Sequence, residues 1–216
     1  KAQKLLNNGH SAQVTFDSEG SSLEGGPLSH KYQVAQFHLH WGKDNNSGSE
    51  HRINGKMYAA ELHIVHWNSE LFKSVGDAIS QDQGLCVLGM FLTVGKEHAG
   101  LKEMTDKLKD VQYSGDSIDL KDGFDPATLL PKDLGSYYTY LGSLTTPPLY
   151  ESVTWVVFKE PLEVSEEQMN AFRSLNEISK GGSVEAEAAD FGGKIVENYR
   201  PPLPLGDRTL RASFKS

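Results

Sequence analysis

The sequence predicts a mostly β single domain built on one large twisted, mainly antiparallel sheet with peripheral surface helices. Three observations predict it. Several segments are rich in β-branched and aromatic residues and are bounded by Gly, Asn, Asp or Pro. Far fewer stretches carry apolar residues at helical spacing. The gaps between strand segments are long, unlike the tight turns of successive hairpins, which argues for a decorated sheet over a compact sandwich.

In chain order, the strand segments are "AQVTFD", "YQVAQFHLHWG", "MYAAELHIVHWN", "GLCVLGMFLTVG", "YYTYLGSL" and "SVTWVVFKEPL". Leu101, Met104, Leu108 and Val111 share one face of a helix over residues 100–111. Asp125 before Pro126 starts a short helical turn. In "SEEQMNAFRSLNEI" the Ser165 and Gln168 pair forms a capping-box signature, and Met169, Phe172, Leu175 and Ile178 recur as a core stripe. The small, acidic, glycine-flanked stretch at 179–193 reads as a surface loop.

At 216 residues the chain is long enough to bury one substantial core, and the domain spans 1–216. A net charge of -8, with no basic block, excludes a nucleic-acid partner. No run of about 18 apolar residues occurs, so no membrane span is expected. Cys86 is the only cysteine, so no intrachain disulfide can form and a reducing compartment is the default. The start at Lys1, without a signal-peptide pattern, leads to the expectation of a fragment or processed product.

"QFHLHWG", residues 36–42, carries the first chemistry. On a strand His38 and His40 point to one side, with Phe37, Leu39 and Trp41 on the other, a geometry that suits chelation of one metal. Two exposed histidines on a polar face would give the same pattern. In "AAELHIVHW" Glu61, His63, Val65 and Trp67 share one face of a second strand, and Leu62, Ile64 and His66 the other. Three neutral imidazoles and an open position make a catalytic zinc site, and acids or amides commonly orient such ligands. Gln36 and Glu61 are placed for that task. His66 reads as a packed imidazole, His51 as an ion-pair or catalytic candidate, and His30 and His98 as solvated.

"QFHLHWG", "GSEHRINGKMYAAELHIVHWN" and "SLTTPPLYESVTWVVF" together resemble the α-class carbonic anhydrases, with further matches in "LLNNGH", "GGPL", "FDP", "LLP", "NYRP" and "ASFK". The resemblance implies the α-carbonic anhydrase fold. It implies zinc on His38, His40 and His63, and attack of zinc-bound hydroxide on carbon dioxide to give bicarbonate. Thr145 is implied to accept a hydrogen bond from that hydroxide and to donate its own proton to an ionised Glu50, with Thr146 in the same cavity. Val65, Val87, Leu144, Val153 and Trp155 match the family's apolar wall, as an uncharged substrate requires.

Direct proton release from an acid of pKa about 7 is limited to on the order of 10³–10⁴ per second, whereas turnover in carbonic anhydrase itself reaches about 10⁶ per second. A shuttle is therefore needed. His10 resembles the family's shuttle histidine, working through ordered waters with Asn8 and Gln13 beside it; an unperturbed imidazole titrates near pH 6.5.

Against the family pattern, the chain is expected to lack an N-terminal segment that supplies an active-site aromatic residue. Tyr199 stands where tryptophan is usual, and Leu149 stands where secreted members often carry a disulfide cysteine, which supports a cytoplasmic location. A monomer acting on carbon dioxide and bicarbonate is the expected form. The alternatives are a non-catalytic anhydrase-like binding module and a zinc esterase or hydrolase.

Overall fold

A computed structural model describes residues 2–17, 21–120, 124–183 and 191–215. Each strand segment foreseen in the sequence forms. The chain runs through β1 (Ala2–Asn7), β2 (Ala12–Phe16), β3 (Ser22–Leu23), β4 (Tyr32–Trp41), β5 (Ala60–Asn68), α1 (Val75–Ala78) and β6 (Leu85–Val94). It continues through α2 (Ala99–Lys107), β7 (Ser117–Asp119), β8 (Tyr137–Gly142), β9 (Val153–Phe158), β10 (Leu162–Val164), α3 (Glu166–Arg173) and β11 (Arg211–Ala212). Short 3₁₀ turns occupy Leu108–Asp110 and Pro126–Leu129, the latter where Asp125 accepts the Ala127 N–H as an N-cap.

The strands join in one sheet of order β11-β8-β9-β6-β5-β4-β2-β1-β7, with β3 added to β4 and β10 to β6. Pairing is antiparallel except where β6 meets β9 and β10. The sheet is therefore mixed, and mainly antiparallel as expected. The central strands β5 and β6 are buried on both faces, so they read as near-continuous apolar runs.

The two faces carry separate cores. On one, Phe37, Leu39, Trp41, Leu62, Ile64 and Met90 pack against Leu101 and Met104 of α2 and Met169 and Phe172 of α3. On the other, Val65, Val87, Val153, Trp155 and Val157 form a smaller cluster, with Leu144 packed at its margin. The candidate site residues belong to this second face.

β4 contains a bulge between Val34 and Gln36, since Val34 pairs with His66 and Gln36 with Val65. Strict alternation from Tyr32 would place Val34, Gln36, His38 and His40 on one face. The extra residue resets the parity, so that Tyr32 and Val34 share the helix-covered core with Phe37, Leu39 and Trp41, and the histidines turn away from it.

The helices tie together at their starts. Ser165 and Gln168 form the expected capping box. Gln168 Oε1 also accepts the His98 N–H at 2.8 Å, and its Nε2 donates to the His98 carbonyl at 3.0 Å. His98 is a half-buried N-cap whose Nδ1 accepts from Leu101 N at 3.2 Å, in contrast to the solvated histidine expected. His30 likewise has a partner, with its Nδ1 3.1 Å from Glu70 Oε2. The helical stripe stops short of its expected end: α3 closes at Arg173, so Leu175 is buried beyond the helix and Ile178 lies further out, half-buried. Much of the acidic stretch at 179–193 lies outside the described residues.

Candidate active site

The site is laid out in cross-strand rows. Gln13 on β2 pairs with His38 on β4, His38 with His63 on β5, and His63 with Gly89 on β6. One row along, Gln36 pairs with Val65, Val65 with Val87, Val87 with Trp155 on β9 and Trp155 with Tyr140 on β8. On the other side, His40 pairs with Glu61. Histidines, apolar wall and orienting groups therefore follow from register, because residues opposite one another on one face come within side-chain reach.

The three imidazoles converge. Their ring centroids lie 5.0 Å apart for His38–His40, 5.3 Å for His38–His63 and 4.7 Å for His40–His63. Each has one nitrogen engaged: His38 Nδ1 with Gln36 Oε1 at 2.9 Å, His40 Nδ1 with the Asn198 carbonyl at 2.8 Å, and His63 Nε2 with Glu61 Oε1 at 2.7 Å. Those contacts leave His38 Nε2, His40 Nε2 and His63 Nδ1, and one nitrogen from each residue lies within 4.8 Å of the others.

Burial pushes His38 well below the ordinary imidazole range, with the neighbouring imidazoles adding to it; burial lowers His40 as well. Both rings are thus neutral with a free lone pair. His40 Nε2 is buried without a hydrogen-bond partner. A buried acceptor left unmatched costs free energy, and a cation at the centre of the cluster would satisfy it. Three imidazole nitrogens with fixed tautomers form the donor set that suits zinc.

Glu61 is wholly buried and takes four N–H donors: His63 Nε2 and His51 Nδ1 at Oε1, and the main-chain N–H groups of Glu50 and His51 at Oε2. Burial alone would raise its carboxyl, but His51 and His63 outweigh burial and hold it well below the usual carboxylate range. Gly89 lies beside this group; a Cβ there would stand in ordinary van der Waals contact, 3.4 Å from Glu61 Oε1 and 3.5 Å from Val157.

Glu50 is buried beside the histidines, with Oε1 accepting the Arg200 N–H at 2.7 Å and Oε2 left without a partner. The expected bond from Thr145 to Glu50 is therefore not formed. Thr145 sits half-buried at the edge of the exposed loop Thr146–Tyr150, which is held by Leu149 N–H to the Thr146 carbonyl and Leu144 N–H to the Tyr150 carbonyl. Thr146 is exposed on that loop, and the Pro147–Pro148 bond is cis. A groove of about 420 Å³ runs beside the site, sharing Glu50, His51 and Thr145 but bounded by Tyr138, Pro202 and Leu203, not by the three converging histidines.

Val65, Val87, Val153 and Trp155 are buried in the second core, and the Trp155 ring lies 4.8 Å from that of His63. His10 lies exposed on the loop between β1 and β2, where its N–H donates to Asn8 Oδ1 at 2.9 Å and its carbonyl accepts from Asn198 Nδ2 at 2.8 Å. Asn8 Nδ2 reaches Gln13 Oε1 at 3.3 Å. His66 turns to the opposite face, with Nδ1 3.1 Å from the Ile64 carbonyl.

Sequence reasoning named His51 as a candidate without its partner and did not single out Asn198. His51 pairs with Glu61, 2.6 Å away, and not with its chain neighbour Glu50. Asn198 opens the "NYRP" match, but it lies far along the chain in an irregular segment without any local metal-site pattern, so its contact with His40 was not foreseen.

The fold and site define a β-sheet protein with three converging histidines that could hold a metal ion, set against an apolar wall. The chain belongs to the eukaryotic-type carbonic anhydrase family, whose family model matches residues 1–214. It is 45% identical over 214 residues to carbonic anhydrase 1 of Oryctolagus cuniculus, covering 99% of this chain and 87% of that protein. It is 45% identical over 214 residues to carbonic anhydrase 7 of Homo sapiens, covering 98% and 77%. It is also 43% identical over 215 residues to a carbonic anhydrase-related protein of Homo sapiens, covering 98% and 72%.

Proposed function

We propose that the chain catalyses the reversible, zinc-dependent hydration of carbon dioxide to bicarbonate and a proton. The observation that carries this reading is the convergence of three imidazoles, each with its outer nitrogen engaged, next to a row of buried apolar residues. His38, His40 and His63 would hold the zinc. Bound zinc supplies a Lewis acid that brings a water's pKa down to about 7, carbonic anhydrase being the reference case for that shift.

Gln36 and Glu61 hold His38 and His63 in the tautomers that present a lone pair inward. Glu50 Oε2 is an unfilled acceptor 4.0 Å from His63 Nδ1, able to accept a hydrogen bond from a hydroxyl, and Thr145 is the donor the reading assigns to it. Val65, Val87, Leu144, Val153 and Trp155 receive an uncharged substrate without offering it competing hydrogen bonds, with Thr146 at the rim. His10, exposed and flanked by Asn8 and Gln13, passes the proton to buffer. A monomer in the cytoplasm fits the single buried Cys86.

Zinc content measured with stopped-flow carbon dioxide hydration, with and without a sulfonamide, tests the reading. Stoichiometric zinc and sulfonamide-sensitive hydration are expected. Zinc without hydration would point to a binding module or an ester hydrolase, and absence of zinc would sink the ligand assignment.

A further inference from the structure

Four donors fill the lone-pair capacity of the Glu61 carboxylate. Two are main-chain groups, and one belongs to His63. The remaining donor is the His51 imidazole, which is itself held at its far end: Nε2 lies 2.5 Å from the Tyr140 hydroxyl, and the ring stands edge-on to Trp155 at 4.8 Å. Tyr140 and Trp155 are register partners on neighbouring strands. A chain of contacts thus runs from the sheet through His51 and Glu61 to His63.

We propose that His51 is a positioning residue for the metal centre. By occupying one side of Glu61 Oε1 at 2.6 Å, it leaves that oxygen a single direction in which to accept, and His63 Nε2–H fills it at 2.7 Å. The His63 ring is thereby fixed with Nδ1 inward. Without the His51 donor, the carboxylate keeps its two main-chain bonds at Oε2, but Oε1 has a second direction open in which to accept, so the direction of the His63 Nε2–H bond, and with it the ring, is no longer fixed. The inference rests on the proposed zinc reading.

The test uses two polar substitutions in the zinc-loaded protein. His51→Asn keeps an N–H near the Nδ1 position, whereas His51→Gln moves it toward Tyr140 and away from Glu61. Release of zinc to excess chelator is expected within about twofold of the unaltered rate for His51→Asn and about tenfold faster for His51→Gln, since losing a group that orients a ligand costs about 10–100-fold in metal affinity. In a Glu61→Gln background the difference between the two variants should vanish. Matched unfolding midpoints of the metal-free variants separate this effect from general loosening. If His51→Gln does not fold, His51→Phe, which keeps a ring against Trp155 and removes both ring nitrogens, takes its place with the same expectation. Equal release rates, or a difference that survives Glu61→Gln, would overturn the proposal while leaving the zinc reading intact. An unaltered chain that binds no zinc would overturn both.

Discussion

The main-chain carbonyl of Asn198 accepts the His40 Nδ1 proton at 2.8 Å, joining positions 158 apart in the chain. The side chain of the same residue accepts the Trp41 N–H at 2.7 Å and donates to the His10 carbonyl at 2.8 Å. One asparagine therefore fixes a proposed ligand, the end of its strand and the proposed shuttle loop. Asn198→Ala leaves the Trp41 N–H without its acceptor, which should cost about 1–3 kcal/mol. Denaturant unfolding and zinc transfer to a chelator should both shift; a variant unchanged in both would show that the carbonyl is held by the backbone alone.

Glu50→Gln keeps an oxygen for the Arg200 N–H but places an NH₂ where the unpartnered Oε2 now stands. Zinc content should stay stoichiometric while turnover falls by on the order of 10²-fold, the scale of losing one orienting contact at a reacting centre. Retained turnover would remove Glu50 from the mechanism.

His10→Ala should slow hydration at least about tenfold in dilute buffer and leave it nearly unchanged in concentrated buffer, because only the relay to solvent is lost. Added imidazole should restore the rate. Equal rates at low buffer would assign the relay elsewhere.

His66 gives a pH signature in the metal-free protein. Burial lowers this imidazole from 6.5 to about 4. The unfolded chain takes up a proton near pH 6.5 and the folded one only near 4, so the group's stabilisation is full above about 6.5 and is lost as the pH falls through 4. The loss is on the order of 3 kcal/mol. His38 and His40 act with the same sign. Urea unfolding between pH 7 and 4.5 should show His66→Gln with a shallower fall than the parent; parallel curves would mean that His66 is protonated in the folded state.

Much of the fold was legible because its central strands are long, β-branched and bounded by turn residues, and the proposed ligands because strand parity and family motifs agree on them. β1, β3, β7, β10 and β11 were missed: these segments are short or polar in sequence, and pairing with neighbours makes them strands. The bulge before Gln36 was invisible to alternation, which assumes a constant period of two. The His51–Glu61 contact and the Asn198 carbonyl depend on long-range register and on an irregular segment, neither of which leaves a local pattern. The Thr145 bond followed from resemblance alone, and the loop geometry does not reproduce it.

The bulge in β4 also bears on how the chain can change over time. Ala35 is the surplus residue: removing it would leave Val34 and Phe37 on their shared face and would not disturb the pairing of His38 with Gln13 and His63. The loss of one residue at this position is therefore absorbed upstream of Gln36. Shortening the strand there would keep the imidazoles aligned, whereas the same change between Gln36 and His40 would turn one of them into the opposite core.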